Sequence, residues 1–281
     1  PLEALITTAY NPLCVNLRLD RLTLDKYHPG HEWNSGEAEY IIYPLTGSAH
    51  VRCRRKFQDP DGIPHQLLRA GRRNIFPDMG EEVAGFSALR IPGNREFFID
   101  IRTNDTFDAL ILWVDDDIAK WGKAPPEDTY MCYDWDRQIV GRRDEQRRRN
   151  VWHLEKPHGY TLDVGETMNE PGCWSSSPAH ANPQDLQDVE RGECQWEEVF
   201  FCVIDPPDSF ALMSLDGVYA NGDNSSHVQA IHNGHALMTP LGSHPIVAAP
   251  KTKLWYFWGY YGNALTKRYN KSATDTGTYV K

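Results

Sequence analysis

The chain has 281 residues, 40% of them hydrophobic, which suits two cores of about 130 residues better than one large one. A formal charge of −10 excludes a nucleic-acid surface, since phosphate binding draws on clustered Lys and Arg. No apolar run approaches the ~18 residues of a membrane-spanning helix, and the opening PLEALITTAY lacks the basic-then-apolar order of an export signal, so a cytoplasmic location with no membrane partner is expected.

Along the chain, short segments rich in β-branched and aromatic residues alternate with Gly, Pro, Asn and Asp, the pattern of an all-β barrel or sandwich. Strands are expected at Tyr40 to Leu45, Ser48 to Arg54, Phe97 to Arg102 and Phe107 to Val114. Asp116 to Trp121 reads as a short helix. The polar stretch Lys123 to Asn150, rich in Pro, Asp and Arg, marks a boundary, giving domains 1–130 and 131–281. Its basic cluster, Arg142, Arg143, Arg147, Arg148 and Arg149, is interrupted by Asp144 and Glu145 and fits a solvated linker about as well as an anion site. Beyond it come the strand Val151-Trp152-His153-Leu154, a short helix at Asp185 to Glu190, and strands at Glu198 to Ile204, Phe210 to Ser214, His235 to Met238, Pro245 to Ala248 and Lys253 to Gly259.

The halves resemble one another. In each, an acidic pair opens a strand, Glu37-Ala38-Glu39-Tyr40 in the first and Glu197-Glu198-Val199-Phe200 in the second, and a Pro/Gly turn follows later, at Pro92-Gly93 and Pro240-Leu241-Gly242. Six cysteines without a C-x-x-C pair are expected to be reduced thiols. The N-x-S/T triplets at Asn104, Asn224 and Asn270 carry little weight, because such triplets arise often by chance.

Metal-ligating residue types concentrate in the second half: His180, Glu198 and His244. Two imidazoles and a carboxylate suit a divalent ion such as Zn, Mn, Fe, Co or Ni and leave positions open for substrate. Strand alternation puts Trp196, Glu198, Phe200 and Cys202 on one face and Glu197, Val199 and Phe201 on the other, so only one of the two glutamates points inward. Spacing alone fits surface histidines and an exposed glutamate pair equally well.

Three segments resemble the 5-deoxyglucuronate isomerase family of inositol breakdown, a bicupin group. Pro171-Gly172-Cys173-Trp174-Ser175-Ser176-Ser177-Pro178-Ala179-His180 is similar to its G-x-W-S-S-x-P-x-H segment. Glu197-Glu198-Val199-Phe200-Phe201 is similar to its E-E-I-Y-Y strand, and Pro240-Leu241-Gly242-Ser243-His244-Pro245-Ile246-Val247-Ala248-Ala249-Pro250 to its P-x-G-x-H-P-V-x-A-A-P segment. Gly36-Glu37-Ala38-Glu39-Tyr40 and Leu45-Thr46-Gly47-Ser48-Ala49 match its G-E-x-E and L-x-G-x-A pieces.

The resemblance implies two cupin (double-stranded β-helix, jelly-roll) barrels in one all-β chain, with a divalent metal in the second held by His180, Glu198 and His244. The family's further histidine falls on Asn182, a neutral, harder donor that favours Mn or Mg over Zn and lowers affinity. Asn94 and Arg95 follow the Pro-Gly turn of the first barrel, so no metal is expected there. The implied reaction is a metal-dependent aldose–ketose isomerisation of a deoxyuronate, an isomerase of carbohydrate metabolism. Asn182 also leaves open another metal-cupin activity on a sugar acid (epimerase, lyase or oxygenase), or binding without catalysis. His227, Tyr256 or a hydroxide on the metal could supply the base, although His227 also reads as part of a polar loop and Tyr256 as core packing. Arg149 is the best-placed guanidinium for a substrate carboxylate, whereas His153 and His158 are expected to be non-ligands. The expected partner is a small-molecule sugar acid, and the sequence leaves room for a homo-oligomer.

Overall fold

The computed structural model describes residues 1–6, 16–55, 65–71, 75–76, 86–102, 105–114, 129–133, 135–146, 148–154, 160–175, 181–182, 196–218, 224–239 and 242–262. Their regular structure is all β-strand. The helices expected at Asp116 to Trp121 and Asp185 to Glu190 lie outside them. Among the described residues no helix is long and apolar enough to cross a membrane. The chain divides into two compact units, Pro1–Trp135 with Leu154–Leu162, and Asp136–His153 with Asp163–Lys281. A single cut near residue 130 misses the return of Leu154–Leu162 to the first unit.

The first unit contains β1 (Leu2–Ile6), β2 (Leu17–Leu24), β3 (Gly30–Asn34), β4 (Glu39–Arg55), β5 (His65–Arg69), β6 (Ala88–Ile91), β7 (Arg95–Asp100), β8 (Phe107–Val114) and β9 (Tyr130–Cys132). The two strands expected between Tyr40 and Arg54 are one long strand, β4. Its first part pairs with β6 and β8, its second with β5 and β7, so one strand serves both layers. The register against β8 shifts between Pro44 and Thr46. A proline lacks the N–H that a ladder needs, and a bulge is where a central strand tolerates it. Val51, Phe97, Ile99 and Ile111 fill the interior, with Trp33 stacked on Phe97 and Tyr40 on Trp113.

One buried carboxylate ties the returning segment into this unit. Glu39 accepts hydrogen bonds from the Thr161 N–H (2.8 Å), the Thr161 hydroxyl (2.7 Å) and the Leu162 N–H (3.1 Å). Arg90, equally buried, lies 3.9 Å from Glu39 and donates to the Leu162 carbonyl. The second glutamate of the Gly36-Glu37-Ala38-Glu39 piece is therefore structural.

The second unit contains β10 (Trp135–Val140), β11 (Arg149–Leu154), β12 (Asp163–Asn169), β13 (Trp174–Ser175), β14 (Ala181–Asn182), β15 (Trp196–Asp205), β16 (Ala211–Val218), β17 (Asn224–Ile231), β18 (Ala236–Thr239), β19 (Gly242–Ser243), β20 (Ile246–Ala248) and β21 (Lys253–Gly262). One sheet runs β10-β11-β12-β21-β15-β18; the other runs β13-β20-β16-β19-β14, with β17 on β16. Phe200, Cys202, Ile204, Leu254 and Tyr256 of the first sheet meet Ala211, Met213, Ile231, Ile246 and Ala248 of the second in one core. Burying such side chains at roughly 25 cal/mol per Å² drives the closure.

Candidate metal and substrate site

Strand alternation sends Glu198 to the interior with Phe200, Cys202 and Ile204, and leaves Glu197 half-buried on the other face. Glu198 pairs with Tyr260 of β21 on one side and with Thr239 of β18 on the other. On the opposite sheet, Gly242 and Ser243 pair with Asn182 and Ala181 of β14, and His244 follows directly. His244 is 1% exposed and Glu198 6%. The His244 Nε2 lies 3.1 Å from the Glu198 Oε2, and the ring rests against Phe200 at 5.6 Å.

Two of the sequence-proposed ligands, on different sheets, thus aim donor atoms at one point. A buried imidazole nitrogen facing a carboxylate oxygen either shares a proton or, with both deprotonated, gives two donors to a divalent cation. This donor chemistry fits the expected ion. His180 lies outside the described residues, as does the side chain of Asn182, whose backbone pairs with Gly242 two residues before His244. Among the described residues no group of three His, Cys, Asp or Glu could hold a metal.

Tyr256 points into the same interior from β21 and is 4% exposed. Burial pushes its phenol up, opposed by hydrogen bonds with Ser175 and Thr167 and by the charge of Arg149. Protonated at neutral pH, it suits a hydrogen-bond donor and not a base. Arg149 does not precede its strand but opens β11, half-buried, its charge felt at that phenol. His227 belongs to strand β17 and not to a loop. It pairs with Leu215, whose neighbours Asp216 and Ser214 pair with Ser243 and contact Pro245, so His227 sits two strands, about 10 Å, from His244 and is exposed. Three arginines of the basic cluster are paired locally: Arg142 with Asp144, and Arg143 and Arg148 both with Glu170.

Sequence reasoning passed over the residues at the other side of this interior. His153 Nε2 lies 2.6 Å from Asp163 Oδ1, and the His153 ring lies 5.5 Å from Trp258, which stacks on Tyr260. His153 shares a strand face with Arg149 by simple alternation, the one signal that could have found it. His158 lies outside the described residues.

Residues 119–276 match the family model described as the KduI/IolB family. The chain belongs to the KduI/IolB family. A Geobacillus kaustophilus protein named 5-deoxy-glucuronate isomerase is 29% identical over 88% of this chain and 89% of its own length. One of the same name from Shouchella clausii is 34% identical over 31% of this chain and 30% of its own length. An IolB-like protein from Salmonella typhimurium superposes with a TM-score of 0.67 at 17% identity, over 94% of this chain and 89% of that one. A Bacillus subtilis oxalate decarboxylase variant gives 0.56 at 13% identity, over 95% and 74%. These likenesses show the fold, two cupin barrels in one chain. Membership, with a near end-to-end relative named as an isomerase, marks the chain as an isomerase.

Proposed function

We propose that this chain is a metal-dependent aldose–ketose isomerase acting on a deoxyuronate such as 5-deoxyglucuronate. The observation that carries the reading is the buried His244–Glu198 pair at 3.1 Å in the second barrel. The names of the family relatives support the reaction and the substrate class.

Glu198 and His244, with His180 and Asn182, would hold the cation. When bound, it would polarise the carbonyl and the neighbouring hydroxyl, acidifying the C–H between them and stabilising the developing oxyanion. The protein side chains do the rest. Arg149 offers a guanidinium for the substrate carboxylate, and its half-buried position strengthens such a pair relative to one in water. Tyr256, held as a phenol, braces the interior beside the site through its hydrogen bonds with Ser175 and Thr167. The apolar wall of Phe200, Leu237 and Ile246 keeps water from the reacting carbons.

The test is to incubate the purified protein with 5-deoxyglucuronate and follow the carbonyl signals by NMR, before and after chelator treatment and divalent-ion repletion. The expected result is loss of the aldehyde with gain of a ketone, abolished by chelation and restored by metal. No conversion in the metal-replete protein refutes the reading; redox change or loss of carbon would reassign it to another cupin chemistry on the same substrate. Binding without turnover would make it a sugar-acid binding protein.

A further inference from the structure

We infer that the His153–Asp163 pair is the proton-transfer station of the site, with His153 the catalytic base and Asp163 its positioning residue. The inference rests on the isomerase reading above and deepens it.

Strand pairing places these residues. Asp163 pairs with Tyr260, and Tyr260 with Glu198, so Asp163, Tyr260, Glu198 and Thr239 form one row across β12, β21, β15 and β18, their side chains on one face. At about 4.8 Å per strand, Asp163 and Glu198 stand about 10 Å apart, room for the two reacting carbons to lie between them. The partly exposed, stacked rings of Trp258 and Tyr260 form the floor between the two polar groups.

Gly165 lets His153 reach this floor. It pairs with His153 on one side and with Trp258 on the other. Because it carries no side chain, the two rings close over it; a Cβ there would run into the Trp258 ring and the Trp152 carbonyl oxygen. Asp163 is fully buried, whereas 36% of the His153 side chain is exposed. A buried carboxylate holding an imidazole that reaches open space is the arrangement of a base and its orienting group. The 2.6 Å contact to a carboxylate favours the tautomer with the proton on Nε2, which makes Nδ1 the basic nitrogen.

The step balances without an oxidant. His153 Nδ1 takes the proton from the hydroxyl-bearing carbon; the C–H electron pair becomes the C=C of an enediol, and the former carbonyl oxygen gains a proton. Return of the proton to the former aldehyde carbon, with loss of the hydroxyl proton from its neighbour, gives the ketone.

The test is His153→Gln, since glutamine still donates to Asp163 but cannot take a proton. With metal-replete protein and 5-deoxyglucuronate, kcat should fall about 100-fold or more. KM, bound metal and urea midpoint should stay at wild-type values. Deuterium wash-in from D2O to the recovered aldehyde acid should be lost in step with kcat. Asp163→Asn, in a second arm, should lower kcat while sparing KM. A kcat for His153→Gln within threefold of wild type overturns the inference and leaves the isomerase reading standing, as does loss of metal or folding in proportion to activity. A wild-type protein inert towards the substrate overturns both.

Discussion

Replacing Glu39 by alanine tests the buried carboxylate that ties residues 161 and 162 into the first unit. The substitution strips the acceptor from three donors, the Thr161 N–H and hydroxyl and the Leu162 N–H, and leaves the Arg90 guanidinium buried 3.9 Å from where its partner stood. Each stranded donor costs about 1–3 kcal/mol, and removing one partner of a buried ion pair costs about 3–5 kcal/mol. These costs overlap, because relaxation or an entering water relieves several groups together, so a loss of about 4 kcal/mol is expected. Burial itself pushes the Glu39 carboxyl up, opposed by Arg90 and the Thr161 and Leu162 donors, so Glu39→Gln, which keeps one acceptor oxygen, should lose less than alanine. In urea, with a slope of about 2 kcal/mol/M, the first unit's midpoint should fall by about 2 M. A fall below about 0.5 M, or glutamine as damaging as alanine, would refute the claim that this carboxylate staples the 160–162 segment into the first unit.

Two further outcomes follow from the second barrel and from the buried thiols. Asn182→His should strengthen retention of a divalent ion and His244→Ala abolish it, read by elemental analysis after extensive dialysis; unchanged content in both variants would sink the ligand assignment. Burial pushes the Cys53 thiol up to about 12 from 9.0, and also raises the Cys202 thiol and the Tyr256 phenol. An acid whose pKa is raised on folding keeps its proton where the unfolded chain has lost it. Its contribution is therefore complete below about pH 9 and lost as pH rises, about 1 kcal/mol for Cys53 alone by pH 10. The urea midpoint should fall between pH 8 and pH 10, and fall less in Cys53→Ala; equal falls would show that Cys53 does not titrate as its burial requires.

Much of the scaffold was legible locally. Phe107 to Val114 reads as a strand from its β-branched and aromatic run, and β8 has those bounds. Strand β12, Asp163-Val164-Gly165-Glu166-Thr167-Met168-Asn169, was not legible: it is buried on both faces yet carries polar residues that only its neighbours satisfy, so it lacks alternation. Strand β17 failed the opposite way, because an exposed edge strand tolerates the Asn-Ser-Ser-His composition of a loop. Counting along β15 showed only that one of Glu197 and Glu198 points inward, and the resemblance, not the alternation, singled out Glu198. His244 could be singled out only through resemblance, since a histidine after a Pro-Leu-Gly turn has no local signature.

By itself the sequence determined the all-β class, the presence of two cores and the family, because strand periodicity, turn chemistry and motif order are local properties of the chain. Tertiary structure alone decided that Glu198 meets His244, that Glu39 works as a staple, and that Asp163 shares a row with Glu198 while holding His153. Those facts depend on the register between strands distant along the chain. A shift of one residue would turn each side chain to the opposite face, and long-range packing of the whole core selects that register.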